Sequence, residues 1–477
     1  MLFCQSFVAN CNSKRDDAPQ PADIYNRGMN FRITGAIAIS KLARTVVRLR
    51  RRGGSALPGL VAETIAPDFL SQTLSHLPDG IIIITGTNGK TTTTKMVADL
   101  LTGLGKKVLT NKSGSNFTRG IAATIVQETK LGHSLPHDIA VIELDEAYAK
   151  KFVQIVRPRY VVALNVIRDQ LDRFGEIDTT ARLIASVLQA AMSGSVINGD
   201  DPRLLAIGQQ LTTPVSYYTV SPALRVNFPT DEELHAISEP ASADHTSTAD
   251  TGKVDLEHTP HKPSQGAASL PASAVELTSF NGRQVEFTID GKLYPTELSV
   301  TGQYNFQNAA AAIAAARLVM PDTAVETILT KLSVVQPAFG RGESLTIGGR
   351  QLEIILVKNP AGFQQALLSF QTPAATMIAI NDNDADGRDV SWLWDVNFES
   401  LRSGGVSMVS GIRAYDMALR LKYEEVPYGD VTLDLGTALR AFVSGAPDQP
   451  LRVFCTYTAM LPLHAMVRAL AGQERAL

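Results

Sequence analysis

With 477 residues, 44% of them hydrophobic and 19% charged, the chain is long enough for about three domains of ordinary size and has the composition of a soluble globular protein. A net charge of -3 argues against a general nucleic-acid surface, and no apolar run approaches the roughly 18–20 residues of a membrane span. Three cysteines, Cys4, Cys11 and Cys455, exclude a disulfide framework and a four-cysteine zinc site, and point to a reducing, cytoplasmic setting.

Residues 1–30 are mixed polar, with the acidic pair Asp16-Asp17 where a secretion signal would have its apolar centre; they are expected to be disordered, with Met29 a candidate true start. Residues 31–80 are expected to form a helical segment packed on the next domain. Within 32–52, Ile39, Leu42, Val46 and Leu49 recur at helical spacing, and Lys41, Arg44, Arg48 and Arg51 form a second stripe with no acid among them. Two readings stand: a helix docked on the domain with its basic face in solvent, or one that touches anionic lipid headgroups.

Residues 81–84, "IIII", read as a central parallel strand, since both faces must be covered. The stretch Gly86, Thr87, Asn88, Gly89, Lys90, Thr91, Thr92 then turns the chain into a helix. Glycines let backbone N–H groups approach an anion, the helix N-terminus adds positive charge, Lys90 can reach outer phosphates and the Thr91 hydroxyl can ligate Mg²⁺. This G-T-N-G-K-T-T is shorter than the full G-x-x-x-x-G-K-T pattern, because Ile84 stands at its first glycine. The plainer reading is a strand-to-helix turn with an exposed lysine.

From 81 to about 220, apolar runs ("KKVLT", "IAVIELD", "YVVALNV", "GSVING") alternate with helical segments, which implies a parallel sheet wrapped by helices. Glu143, at the end of "IAVIELDEA", is a candidate second Mg²⁺ ligand beside the loop; alternatively Glu143, Asp145 and Glu146 cap the next helix. Asp169, Asp172 and Glu176 follow a further strand on the same edge. Residues 236–275, rich in Ser, Ala, Pro and Thr, are expected to be a mobile insertion, and His235, His245, His258 and His261 in or beside it read as solvated rather than as metal ligands. "QVEFTIDGKLYPTELSV" predicts a hairpin turning at Asp290-Gly291, followed by an alanine-rich helix. A second α/β pattern from about 344 to 477 marks a smaller, Rossmann-like C-terminal domain, which leaves 81–343 as the middle domain. Cys455, inside "RVFCTYTAM", reads as a core cysteine.

Six segments in order, "GTNGKTTT", "ELDE", "NVIRDQLDRFGE", "VINGDDP", "GQYNFQNAAAA" and "FGRGE", resemble the Mur ligases, ATP-dependent amide-forming enzymes of cell-wall synthesis, from about residue 50 to the C-terminus. The C-terminal third, "INDNDADGRDVSWLWDVNFE" at 380–399 and "SGIRAYDMALRLKY" at 410–423, is similar to the MurT branch, Mur-ligase-like subunits that work with a GatD-like glutaminase. Three departures from the wider pattern are Lys358 where many Mur ligases have histidine, Gln170 where many have a metal-binding histidine, and no cysteines for a zinc ribbon in the insertion, so no zinc site is expected.

The resemblance implies a Mur-ligase-like P-loop ATPase domain with ATP and Mg²⁺ as cofactors, Mg²⁺ lying on Thr91 and Glu143. It further implies that Asn305 and Asn308 hold the nucleotide, with Asn308 near the adenine, and that Arg341 approaches its phosphate or ribose. The implied activity is ATP-dependent amidation of the D-glutamate carboxylate of the lipid II stem peptide to D-isoglutamine, through an acyl phosphate. The implied partner is a glutaminase subunit in a heterodimer, with Asp389 completing that partner's catalytic group. The implied setting is cytoplasmic, at the inner face of the membrane. Asp389 also fits the N-cap of a short helix. Two other functions remain open: a folylpolyglutamate-type ligase that adds an amino acid without a glutaminase, and a catalytically silent nucleotide-binding scaffold.

Overall fold

The structure, a computed structural model, describes residues 31–49, 57–111, 118–131, 134–168, 177–230, 233, 274–337, 341–370, 372–445 and 449–472, with the side chains of 46–49, 341 and 342 outside that description. Residues 236–273 of the expected insertion, the four histidines, Asp169, Gln170, Asp172 and Glu176, and Cys4 and Cys11 lie outside the described residues, whereas Val275, expected to end the insertion, already begins a strand and is buried there.

Three helices lead in: α1 (Phe31–Leu49), α2 (Leu57–Ile65) and α3 (Phe69–Leu74). An alternating run follows: β1 (Gly80–Thr85), α4 (Lys90–Gly103), β2 (Val108–Thr110), α5 (Thr118–Glu128), β3 (Ile139–Glu143), α6 (Glu146–Ile155), β4 (Tyr160–Ala163), α7 (Ile177–Leu188), β5 (Gly194–Asn198), α8 (Pro202–Gly208) and β6 (Val215–Val220). Then come β7 (Val275–Asn281), β8 (Gln284–Ile289), β9 (Lys292–Glu297), α9 (Gln303–Val319) and α10 (Val325–Leu332). Strands β1 to β9 form one sheet in the order β2-β3-β1-β4-β5-β6-β7-β8-β9, parallel from β2 to β7 and antiparallel beyond.

The four isoleucines of β1 behave as a doubly covered strand requires. Ile81 and Ile83 join one core, Ile82 and Ile84 the other, and none is more than 2% exposed. The β8–β9 hairpin turns at Asp290 (φ 51°) and Gly291 (φ 76°), the pair of positive φ angles that a two-residue hairpin loop needs. Helix α9 is apolar nearly all round, with Ala309 to Ala312 and Ala314 to Ala316 buried, and it lies between α4 and strands β5 to β7.

The C-terminal part holds β10 (Arg341–Ile347), β11 (Arg350–Leu356), α11 (Pro360–Ser369), β12 (Ala375–Ala379), β13 (Val406–Ser410), α12 (Ala414–Tyr423), β14 (Tyr428–Thr432), α13 (Leu435–Gly445), β15 (Leu451–Cys455) and α14 (Tyr457–Leu470). Its six strands run β10-β11-β15-β12-β13-β14, parallel except for the β10–β11 hairpin. That hairpin takes in Arg341, so the second sheet starts three residues earlier than the boundary expected at 344.

Helix α1 corrects one expectation. It docks through Ile33, Ala36, Ile37 and Ser40, all at most 2% exposed, whereas Ile39 and Leu42 of the expected apolar stripe are 51% and 66% exposed. The reason is packing: α1 lies on α2, and Ala36 and Ala62, both fully buried, are small enough to let the two helices approach. Helix α2 in turn crosses α5 at Gly59, where an added Cβ would stand 1.9 Å from Arg119 O and 2.9 Å from Ala123 N. Both are backbone atoms and cannot step aside. Gly59→Ala should therefore lower stability by about 1–3 kcal/mol in urea unfolding, although alanine is the better helix former.

Candidate functional site

Strand β1 lies between β3 and β4, at the point where the strand order reverses, so its carboxyl end opens onto the crevice where α/β sheets take their ligands. The loop that leaves it is clasped on several sides. Thr87 N donates to Asn165 O (3.0 Å) and Asn88 N to Asn165 Oδ1 (2.8 Å), while Asn165 Nδ2 donates back to Asn88 O (3.1 Å). The Thr87 hydroxyl accepts from Ile167 N (3.1 Å) and donates to Ile167 O (3.0 Å). Gly86 (φ 128°) and Gly89 (φ 86°) are glycine for two reasons, since a Cβ on the first would lie 2.9 Å from Asn165 N and on the second 2.6 Å from Asn308 Oδ1. Gly89 is also the N-cap of α4 and has no side chain to hold the first N–H groups of that helix.

The four threonines divide their work. Thr91 Oγ1 donates to Glu143 Oε1 at 2.9 Å, Thr92 lines the cleft above the loop, and Thr93 and Thr94 are buried. Glu143, 4% exposed, is held at its backbone by Asn111, whose Oδ1 accepts from Glu143 N (3.0 Å) and whose Nδ2 donates to Glu143 O (2.9 Å). Its carboxylate faces Thr91, and the N-cap position of the helix that follows is taken by Asp145 instead. Among the described residues no cluster of three His, Cys, Asp or Glu side chains could hold a metal. A hydroxyl and one carboxylate, both hard oxygens, nevertheless suit Mg²⁺, which commonly takes one or two protein ligands and completes its octahedron with phosphate oxygens and water.

Lys90 is 6% exposed, and its ammonium donates to Gly86 O (2.6 Å) and Thr87 O (3.2 Å) while facing Asp145 (3.4 Å) and Glu146 (3.3 Å). Burial pushes the Glu146 carboxyl up to about 7, against the lowering pull of Lys90. Asp145 occupies the N-cap position of α6. The loop's roof comes from the C-terminal part: Asn359 Nδ2 donates to Asn88 Oδ1 (3.1 Å) and Asn359 Oδ1 caps α11 by accepting from Gly362 N (2.7 Å). Between the two parts runs a cleft lined by Asn88, Gly89, Asn308, Lys358 and Gln365, among others. Among the described residues the buried Nδ2 of Asn88 has no hydrogen-bond partner, which leaves a donor facing this wall.

Asn308 thus stands at the cleft. Asn305 does not: it is fully buried one turn earlier on α9, where its Nδ2 donates to Thr301 O (2.6 Å). Arg341 begins β10, with its side chain outside the described residues. Asp389 is exposed and its Oδ1 accepts from Ser391 N (2.8 Å); hydrogen bonds from the Ser391 side chain and then its N–H hold the carboxyl below the usual range at the start of the short 3₁₀ turn Ser391–Asp395. Cys455 is fully buried in β15 and burial pushes its thiol well up, as suits a core residue. Sequence reasoning missed Asn165, Asn111 and Asn359 as site residues; only Asn359, before Pro360, carries a local signal, that of a helix cap followed by proline at the first helical position.

Residues 84–316 match the family described as Mur ligase middle domain, and residues 356–460 match MurT ligase C-terminal. The lipid II isoglutaminyl synthase (glutamine-hydrolyzing) subunit MurT of Streptococcus pneumoniae is 31% identical over 92% of this chain and 98% of that protein. Its namesake from Staphylococcus aureus (strain COL) is 29% identical over 82% of this chain and 88% of that protein. Among solved structures, MurF of Thermotoga maritima in complex with ADP superposes with a TM-score of 0.63 at 14% identity, over 86% of this chain and 84% of that one.

Two expectations follow from the geometry. Because Glu146 titrates near 7 in the folded chain and near 4.5 when unfolded, the folded state holds an extra proton between those values. The stability this gives is complete below about 4.5 and lost as pH rises through 7, so Glu146→Gln should flatten the fall of urea-unfolding stability across that window. Asn359→Ser keeps a capping oxygen but cannot reach Asn88, so amide exchange at 86–89 should quicken while global stability changes by less than about 1 kcal/mol.

Proposed function

The chain belongs to the MurT family of Mur-type ligases, and from that premise we propose that it is the ATP-consuming subunit of a two-chain amidotransferase. The observation that carries the proposal is the joint match of a Mur ligase middle domain and a MurT C-terminal domain on one chain. In this reading the substrate is the D-glutamate carboxylate of the lipid II stem peptide, met at the inner face of the membrane, and the product is D-isoglutamine. The partner is a GatD-like glutaminase that supplies ammonia.

A carboxylate resists ammonia at neutral pH, because its oxygen leaves poorly and its negative charge repels a nucleophile. Transfer of the ATP γ-phosphoryl group to that oxygen releases ADP and gives an acyl phosphate; ammonia then adds to the carbonyl carbon, loses a proton, and inorganic phosphate departs. The first step asks mainly for positioning and charge neutralisation. The N-terminus of α4, which Gly89 caps without a side chain, would receive the phosphates, and Lys90, moving from its loop carbonyls by a change of rotamer, would follow the transferred charge. Asp145 and Glu146 lie 3.4 and 3.3 Å from the ammonium and would hold it in reserve beside the loop. Thr91 and Glu143 would hold Mg²⁺, whose role is to neutralise phosphate charge. Asn308, Gln365 and Lys358 on the cleft walls would meet the rest of the nucleotide, and Asn305 would support Asn308 from beneath through its hold on Thr301.

The partner's place is supported by an exposed apolar row. Ile412 just before α12 and Tyr415, Leu419 and Tyr423 along it are 48–70% exposed, and Trp394, in the turn that follows Asp389, packs edge-on against Tyr423 at 5.3 Å. Next to them β14 is the free edge of the second sheet. A partner seated there would bring its catalytic histidine toward Asp389, which would orient the imidazole and balance its charge.

The test is amidation by the reconstituted pair with two nitrogen sources. Lys90→Ala should reduce the rate to below about a tenth with glutamine and with ammonium alike. Asp389→Asn should abolish the glutamine-driven reaction while sparing the ammonium-driven one. Equal loss with both sources would place Asp389 in the ligase site instead, and amino-acid-dependent ATP hydrolysis without any glutaminase would favour a folylpolyglutamate-type ligase.

A further inference from the structure

Helix α1 has two apolar faces. Ile33, Ala36, Ile37 and Ser40 form the buried one, which rests on α2. At 100° per residue, Phe31, Ala38, Ile39 and Leu42 fall on the opposite side, and they are exposed, Phe31 at 95%, Leu42 at 66% and Ile39 at 51%. Lys41 beside them donates to Thr129 O at 2.6 Å, which brings the end of α5 alongside; two residues farther on, Leu131 is 54% exposed. A row of large apolar side chains pointing away from the protein is what a helix lying on another surface presents.

The charge says which surface. From 31 to 62 the sequence holds seven cations, Arg32, Lys41, Arg44, Arg48, Arg50, Arg51 and Arg52, and no acid, in a chain whose net charge is -3. Glu128 and Lys130 at the nearby end of α5 cancel one another. A second copy of this chain docked face to face would oppose cation to cation. Residues 1–30 carry three acids and three bases, so they offer no excess of negative charge to match it. An anionic bilayer matches both features, because its headgroups neutralise Lys and Arg while the glycerol and upper acyl region accepts Phe, Ile and Leu. Among the described residues no helix is long and apolar enough to cross a membrane, so the contact would be one of lying on the surface.

We propose that the outward face of α1, centred on Phe31, Ile39 and Leu42, is a docking surface for an anionic lipid bilayer. It is separate from the cleft and does not depend on what the cleft does. The face is formed by side chains already in the open, so binding needs no rearrangement of the core.

The test is flotation of the full chain with two kinds of vesicle, one mixing phosphatidylglycerol with phosphatidylcholine and one of phosphatidylcholine alone. The wild type should float with the first, lose that binding in high salt, and bind the second weakly. Ile39→Glu/Leu42→Glu should reduce partitioning onto the anionic vesicles by about tenfold or more, with an unchanged thermal unfolding midpoint. If the double variant unfolds, Leu42→Ser alone should give a smaller loss in the same direction. Equal flotation of wild type and variant would overturn the proposal, as would a wild type that binds neither vesicle. A concentration-dependent dimer that the variant abolishes, without vesicle binding, would overturn it in favour of self-association. Binding that appears only after removal of residues 1–30 would overturn it in favour of a face covered by the chain's own start.

Discussion

The fit of four loop residues between Asn165, Asn308 and Asn359 is the constraint on which the site depends. Gly86 and Gly89 leave no room for a Cβ, so the loop backbone is pressed against the backbone of Asn165 at β4's exit and against the Asn308 side chain of α9, and Asn88 is bound from the second sheet's side. A phosphate cradle works only if its N–H groups are aimed before the anion arrives. Here the Thr87 and Asn88 N–H groups are themselves spent on Asn165, which fixes the loop's course and with it the direction of the N–H groups that open α4. The apolar cores on either side of β1 then act as an anchor, since the strand that carries the loop cannot shift without disturbing both.

The same contacts tie the two sheets together. Asn359 spends one end of its amide on Asn88 and the other on the N-terminus of α11, so any displacement of that helix is felt at the loop. The cleft lies along this seam, with Lys358 and Gln365 on one wall and Asn308 on the other. A ligand filling it would touch both parts and draw them together, which is how closure between domains commonly completes a reactive site.

What could be read from sequence was local. The buried strand, the glycine loop and the Asp290-Gly291 turn each declare themselves within a few residues, because their causes, two covered faces, close backbone approach and positive φ, act at that range. That Thr91 and Glu143 lie side by side was also legible, since one follows the loop at the start of α4 and the other ends a neighbouring parallel strand. The asparagine clasp was not: Asn165 lies 77 residues from Asn88, and Asn359 lies 271. Asn305 shows the opposite error, a residue that shares a motif with a cleft residue yet points inward one turn away. Periodicity likewise found that α1 has an apolar stripe, but only its packing on α2 decides which stripe is covered.

The clasp is made of amides, hydroxyls and backbone, with no ion pair among the bonds that join the loop to Asn165, Ile167 and Asn359. Neutral hydrogen bonds are scarcely touched by mobile ions, whereas the attraction between solvent-facing charges fades over a Debye length of about 8 Å at physiological ionic strength. A cell whose internal salt rises under osmotic stress would therefore keep this loop in shape. What would weaken first are charge-based contacts at the surface, so osmotic stress would act on where the chain sits before it acts on the site itself.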